Sequence, residues 1–412
     1  MSDLNATPMA NRVAIGLFGR RNAGKSSLIN AITGQAVAVT SEVAGTTTDP
    51  VYKSMELLPI GPVVFIDTAG LDDEGALGAL RVEKTYEALR KCHLAVLVCD
   101  AREGITPLET AFIEELCRRK IPCVCVLNKC DAVTLPDEDL ARLRTSVSLP
   151  MVCASAVTGA GIDEVKHLIV ENARFEDEEP SLVSGLLSGG DIAVLVTPID
   201  KAAPKGRLIL PQQQTIRDII EHDAIAVVTK EQELQHTLSR LSEPPAIVIT
   251  DSQAFLKVSA DTPAHIPLTS FSILFARQKS DLAEMVRGSK HIEDLKPGDR
   301  VLIVEGCTHH RQSDDIGTVK IPRWIRQLAG QEICFDWVSG AQYPKDVSPY
   351  ALIVHCGGCM LNRNEMRYRV LTARKAGVFI TNYGVLIAHV LGILPRAVAP
   401  FPAASLALEE NG

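Results

Sequence analysis

Several absences limit what this chain of 412 residues can be. No apolar run is long enough to cross a bilayer, and no membrane partner is expected. The opening residues, MSDLNATPMANR, carry neither an apolar signal core nor a convincing transit pattern, so the cytoplasm is the expected compartment. Positive charge is not in excess. Forty-two Lys and Arg against 50 Asp and Glu leave a formal charge of −8, which gives no general pull toward nucleic acid or anionic lipid. Aromatic residues are 4% of the chain and do not interleave with basic ones, so the usual RNA-binding surface pattern is missing. The cysteine count, 11, is odd, which argues against a disulfide framework. Cys92, Cys99, Cys117, Cys123, Cys125, Cys130 and Cys153 fall mostly in apolar runs and read as small buried hydrophobes, as does Cys334. No short internal repeat is present.

The chain is long enough for two to four domains with cores of their own. Residues 8–175 alternate short apolar runs (VAIGLFG, VVFIDTAG, LAVLVCDA, CVCVLNKCD, MVCASA) with helical patterns, which predicts a doubly wound α/β domain. Residues 176–190 are acidic and then rich in Gly and Ser, and read as a linker. Residues 191–263 give a smaller α/β unit with strands in IAVLVT, AIAVV and AIVIT and no catalytic constellation. Residues 264–402 alternate again, with strands in RVLIVEGC, EICFDW, ALIVHC and VFITN and a single helix over FSILFARQKSDLAEMVRG. The fold class expected is α/β: a P-loop domain followed by two smaller α/β domains with mostly parallel sheets. The Pro/Ala-rich stretch after Pro395 reads as loosely held.

Gly19-Arg20-Arg21-Asn22-Ala23-Gly24-Lys25-Ser26 fits G-x-x-x-x-G-K-[ST] without a mismatch, between an apolar strand and the helix beginning Ser26-Ser27. Glycines let backbone N–H groups curl around phosphates, and the helix N-terminus adds positive potential. Lys25 is expected on the β- and γ-phosphates and Ser26 on Mg²⁺. Asp67 ends the next strand and is placed to hold Mg²⁺ through its water shell, with the Gly70 amide facing the γ-phosphate. Asn128-Lys129-Cys130-Asp131 supplies a carboxylate that can accept from guanine N1–H and the exocyclic amine together, a donor pair adenine lacks. Ser155-Ala156 reads as the last guanine-contacting loop. Order and spacing resemble the translation-factor class of small GTPases, especially the Era/TrmE-like group. That resemblance implies that Thr47, in Ala44-Gly45-Thr46-Thr47-Thr48-Asp49, senses Mg²⁺. It also implies that Asn22 helps bind K⁺ and that hydrolysis is potassium-stimulated. Leu71 stands where Ras-like enzymes have a water-positioning glutamine, so hydrolysis of GTP to GDP is expected to be slow.

The last third carries Cys307-x-His309 and His355-Cys356-x-x-Cys359. Three thiols are one short of the four that usually close an iron-sulfur cluster. Cys307 and Cys356 each follow a predicted strand, and ligands of parallel sheets gather at the carboxyl ends of strands. With the histidines the set suits tetrahedral Zn²⁺ or a 4Fe-4S cluster with one exchangeable iron position. Arg363, Arg367, Arg369, Arg374 and Lys375 on the following helix read as a solvated face, or as electrostatic support for an anionic cluster.

A TrmE-like GTPase, then a small α/β module, then C-x-H…H-C-x-x-C is similar to the HydF family of FeFe-hydrogenase maturation proteins over essentially the whole chain. The resemblance implies a homodimeric scaffold whose middle module dimerises. It implies a 4Fe-4S cluster on Cys307, Cys356 and Cys359, with His309 and His355 as further ligands. It further implies a transient two-iron precursor received from radical-SAM maturases and delivered to apo FeFe-hydrogenase, with no nucleic-acid partner. The alternative, from another class, is a regulatory GTPase of ribosome or RNA assembly with a structural zinc domain.

Overall fold

The computed structural model describes residues 11–34, 50–73, 75–133, 136, 138, 142–143, 147, 149–173, 181–198, 208–306, 315–340 and 342–410. The chain divides into two compact units, residues 1–177 and 178–412. In the first, strands β1 (Val13–Phe18), β2 (Val51–Leu57), β3 (Gly61–Asp67), β4 (Leu94–Asp100), β5 (Cys123–Asn128) and β6 (Met151–Cys153) form one sheet in the order β2-β3-β1-β4-β5-β6. All pairs are parallel except β2 with β3. The apolar runs of β1, β3, β4 and β5 are buried on both faces, as a doubly covered sheet requires. Ile15 and Leu17 pack into one core layer, Ala14 and Phe18 into the other.

The second unit holds two four-stranded sheets, parallel throughout. Strands β7 (Ile192–Val196), β8 (Ile225–Thr229), β9 (Ile247–Thr250) and β10 (Leu268–Ser270) are ordered β10-β9-β7-β8. Strands β11 (Arg300–Glu305), β12 (Cys334–Ser339), β13 (Leu352–His355) and β14 (Phe379–Asn382) are ordered β12-β11-β13-β14. One apolar core runs through both, from Leu182 to Ala407.

Five expectations change here. The boundary at 263/264 would cut off β10, which pairs with β9 and so belongs to the sheet of the preceding module. Three residues are too short to show strand periodicity in sequence. The linker reading fails for residues 181–190. Leu182, Val183 and Leu187 are buried, and Arg277 binds the carbonyls of Leu182 and Ser184 at 3.2 and 2.6 Å. The helix expected over FSILFARQKSDLAEMVRG is two, Phe271–Lys279 and Leu282–Lys290. Ser280 is extended and the Asp281 carboxylate caps the second helix through the Glu284 amide at 3.2 Å. The stretch after Pro395 is packed: Ala397, Val398, Ala404 and Ala407 are all buried. Cys117 and Cys334 also depart from the buried reading and are exposed.

Among the described residues nothing pairs with the outer edge of β8, which exposes Ile225 and Val228. An open edge with apolar side chains is a template for another strand, and it suits the expected pairing of protomers. Replacing Ile225 and Val228 together by Lys is expected to reduce the mass seen in sedimentation toward that of a single chain. An unchanged mass would place the contact elsewhere.

Candidate functional site

The nucleotide motifs converge at the carboxyl end of the first sheet. A cavity of about 510 Å³ is lined by Asn22, Gly24, Lys25, Ser26, Gly70 and Lys129, among others. Gly24 has a φ of +92°, and a Cβ there would meet Asn128 Nδ2 at 2.2 Å, so this turn requires glycine. Asn128 explains the closeness. Its Nδ2 donates to the Ala23 carbonyl at 3.0 Å and its Oδ1 accepts from the Ala156 amide at 3.1 Å, tying the P-loop to the Ser155-Ala156 loop. Lys129 donates to the Asn22 carbonyl at 2.5 Å and to Asp100 at 2.9 Å. Ser155 Oγ donates to Asp131 at 2.5 Å, which orients the carboxylate assigned to guanine.

Lys25 is buried and donates to the carbonyls of Gly19 and Arg20, both at 2.9 Å. Burial pushes its ammonium pKa down, and the charges of Asp67, Asp72 and Asp73 pull it back. Burial pushes the Asp67 carboxyl up, offset by a hydrogen bond from Ser26 and by the charge of Lys25. Asp67 Oδ1 is buried without a partner. An orphaned carboxylate oxygen beside the Ser26 hydroxyl fits a hydrated divalent cation, which would satisfy both. Thr47 lies outside the described residues.

Three contributions were not read from the motifs. Arg20 in the P-loop is gripped by Glu109 and Glu103, both at 2.6 Å, and the Glu109 side chain is fully buried. Thr106-Pro-Leu-Glu109 has capping-box spacing, so the carboxylate was readable as a helix cap but not as a P-loop brace. Asp72 accepts from the Arg21 amide at 2.6 Å, docking the segment after Gly70 on the P-loop. Asp100 holds Arg102 as well as Lys129, and these hydrogen bonds, against some burial, keep its carboxyl well below the usual range.

In the second unit β11 and β13 are adjacent and parallel, with Val304 opposite His355. Cys356 therefore emerges beside Gly306, the last described residue before Cys307. Cys356 Sγ accepts from the Gly306 amide at 3.0 Å and the Gly358 amide at 3.4 Å. Burial raises the Cys356 thiol pKa, and these two amides counter it. Amide hydrogen bonds to sulfur suit a thiolate that ligates metal. Cys307 and His309 lie outside the described residues, and among the described ones no three His, Cys, Asp or Glu side chains stand together as a metal site.

His355 departs from the ligand expectation. It is fully buried, its Nε2 accepts from Arg369 at 3.0 Å, and its Nδ1 therefore carries the proton given to the Cys356 carbonyl at 2.8 Å. Burial, then the Arg369 charge, push its pKa down to about 3. With both nitrogens engaged by protein groups, this imidazole supports the loop that begins at Cys356. Arg369 likewise is not on a solvated face. It is fully buried, pairing with Glu365 at 3.0 Å and with the Gly340 carbonyl at 3.2 Å. Arg367, Arg374 and Lys375 are exposed.

Residues 182–280 match the model of the hydrogen maturase F dimerization domain, and residues 283–400 that of the hydrogen maturase F tetramerization domain. The chain belongs to the hydrogen maturase F family. Residues 14–129 match a model described as 50S ribosome-binding GTPase, so the first unit is a GTPase domain. GTPase Der of Sulfurimonas denitrificans is 33% identical over 171 residues, covering 39% of this chain and 34% of that protein. The tRNA modification GTPase MnmE of Chromobacterium violaceum is 36% identical over 156 residues, covering 38% of this chain and 33% of that protein. The chain thus spans about a third of the length of the curated relatives it matches. A solved structure of Aquifex aeolicus Era bound to GDP and AlF4⁻ is 19% identical with a TM-score of 0.33, over 61% of this chain and 99% of that one.

Asp131→Asn is expected to weaken GTP binding by about 3 kcal/mol, roughly 100-fold, through loss of charge-assisted hydrogen bonds. Xanthosine triphosphate, whose C2 carbonyl can accept from the new amide, should recover part of the loss. Calorimetric titration with both nucleotides checks this.

Proposed function

We propose that the chain is a GTP-hydrolysing scaffold that carries a 4Fe-4S cluster and passes a two-iron precursor to apo FeFe-hydrogenase. One observation carries the cluster half of this reading. Two parallel strands end side by side, and the amides of Gly306 and Gly358 converge on the Cys356 sulfur in a turn that also bears Cys359. Cys307 would complete the ligand set, leaving one iron position exchangeable. When bound, the cluster supplies an anionic iron-sulfur surface with that open position. This chain's residues shape its rim and hold the thiols. The precursor is cargo, received from radical-SAM maturases. The dimerization and tetramerization matches favour an oligomer, and a homodimer joined along β8 is the simplest form.

The nucleotide half is supported by the convergence of the P-loop, Asp67, Asn128 and Asp131 on one end of the first sheet. Asp131 and Asn128 select and frame guanine. Lys25 neutralises phosphate charge, Ser26 and Asp67 would hold Mg²⁺, and Thr47 is the residue that would sense it. Water attacks the γ-phosphorus and the bond to the β,γ-bridging oxygen breaks, giving GDP and phosphate. Leu71 cannot hydrogen-bond that water, so turnover is slow, as suits a switch that biases partner affinity. Asn22 favours a potassium ion beside the phosphates. A regulatory GTPase of RNA assembly with structural zinc is disfavoured by the two hydrogen maturase F matches.

Two measurements test these halves. GTP hydrolysis should be several-fold faster in KCl than in NaCl at equal ionic strength, and equal rates would remove the potassium site. Reconstitution with iron and sulfide should give broad visible absorbance that Cys356→Ser and Cys359→Ser each diminish. Stoichiometric zinc without colour would overturn the cluster in favour of a zinc domain.

A further inference from the structure

The helix Phe271–Lys279 ends on a buried lysine that no motif marks. Lys279 is 5% exposed, and its ammonium donates to three carbonyls of a single turn: Gly358 at 3.0 Å, Cys359 at 3.3 Å and Leu361 at 2.7 Å. The Phe275 ring centre lies 5.1 Å from the same nitrogen. A buried cation is costly unless its donors are met, and an apolar side chain of similar volume would fill the place at lower cost if packing alone mattered. The turn so held is the one that presents Cys359.

Peptide geometry extends the effect to the sulfur. In a trans peptide the carbonyl and the following N–H point in opposite directions. Turning the Gly358 carbonyl to Lys279 turns the Cys359 amide away from it, and turning the Cys359 carbonyl does the same for the Met360 amide. Those two amides are the ones that flank the Cys359 side chain along the chain. Lys279 lies in the dimerization-domain match and Cys359 in the tetramerization-domain match, so the contact joins the two matched domains.

We propose that Lys279 is a positioning residue for the cysteine site. By gathering the Gly358, Cys359 and Leu361 carbonyls it fixes the turn that presents the Cys359 sulfur and sets its own positive charge against that turn. The inference rests on the cluster reading above. Positive charge beside an anionic cluster favours its reduced, more negative state. Lys279 therefore holds the reduction potential higher than the thiols alone would set it.

The test uses the full chain, reconstituted with iron and sulfide without oxygen and titrated against potential with detection by electron paramagnetic resonance. Lys279→Gln keeps a donor and loses the charge. It is expected to load iron and sulfide and to show a potential more negative than the parent chain. Lys279→Arg keeps the charge and is expected near the parent value. Equal potentials for the parent and Lys279→Gln overturn the inference and leave the cluster reading standing. A parent chain that takes up no iron and sulfide overturns both. Should circular dichroism show Lys279→Gln unfolded, Lys279→Met, which fills a similar volume, carries the same expectation and the same refutation.

Discussion

Parallel pairing of adjacent strands is the constraint on which both candidate sites depend. A parallel sheet sends its strands out at one end, so loops far apart in sequence open onto the same edge. In the GTPase unit, β1, β3 and β5 run parallel to one another, and the loops at their carboxyl ends carry Gly19–Ser26, Asp67–Gly70 and Asn128–Asp131. In the second unit the pairing of β11 with β13 sets Gly306 against Cys356 across 50 positions of sequence. Shifting either register would separate the residues before any ligand came into play.

Around each site the protein uses buried charge to fix loops more than to pack a core. Glu109 braces Arg20 in the P-loop, and the Arg20 carbonyl holds Lys25. Arg369 joins Glu365 to His355, and His355 holds the Cys356 carbonyl. Lys279 holds three carbonyls of the same turn. Apart from Arg20, whose side chain is 21% exposed, each charged group is fully or nearly buried, where removing one partner strands the other. Hydrogen-bonded charge gives a loop one geometry where apolar packing would allow several, and a ligand site needs that selectivity.

Much of the architecture was readable because its signals are local. Buried strands announce themselves as short apolar runs, and all five quoted for the GTPase unit are strands. Signals failed where a segment's fate is set by distant partners. Residues 181–190 look like a linker by composition, yet Arg277 and Asp218, far along the chain, anchor them. The stretch after Pro395 looks loose, yet Ala397, Ala404 and Ala407 are buried in the core. Arg369 looked solvated because helix spacing alone does not say which face is covered.

The sequence by itself determined the phosphate and guanine motifs, the three thiols and the order of domains. Each of these is written in a handful of consecutive residues whose chemistry requires those types. Tertiary structure alone decided that His355 supports the turn, that Arg369 lies buried beneath it, and that Lys279 reaches across about 80 residues to hold it. Motif spacing carries no record of such contacts. They exist only when helices and strands are packed, because a buried charge is defined by what surrounds it and not by its neighbours in the chain.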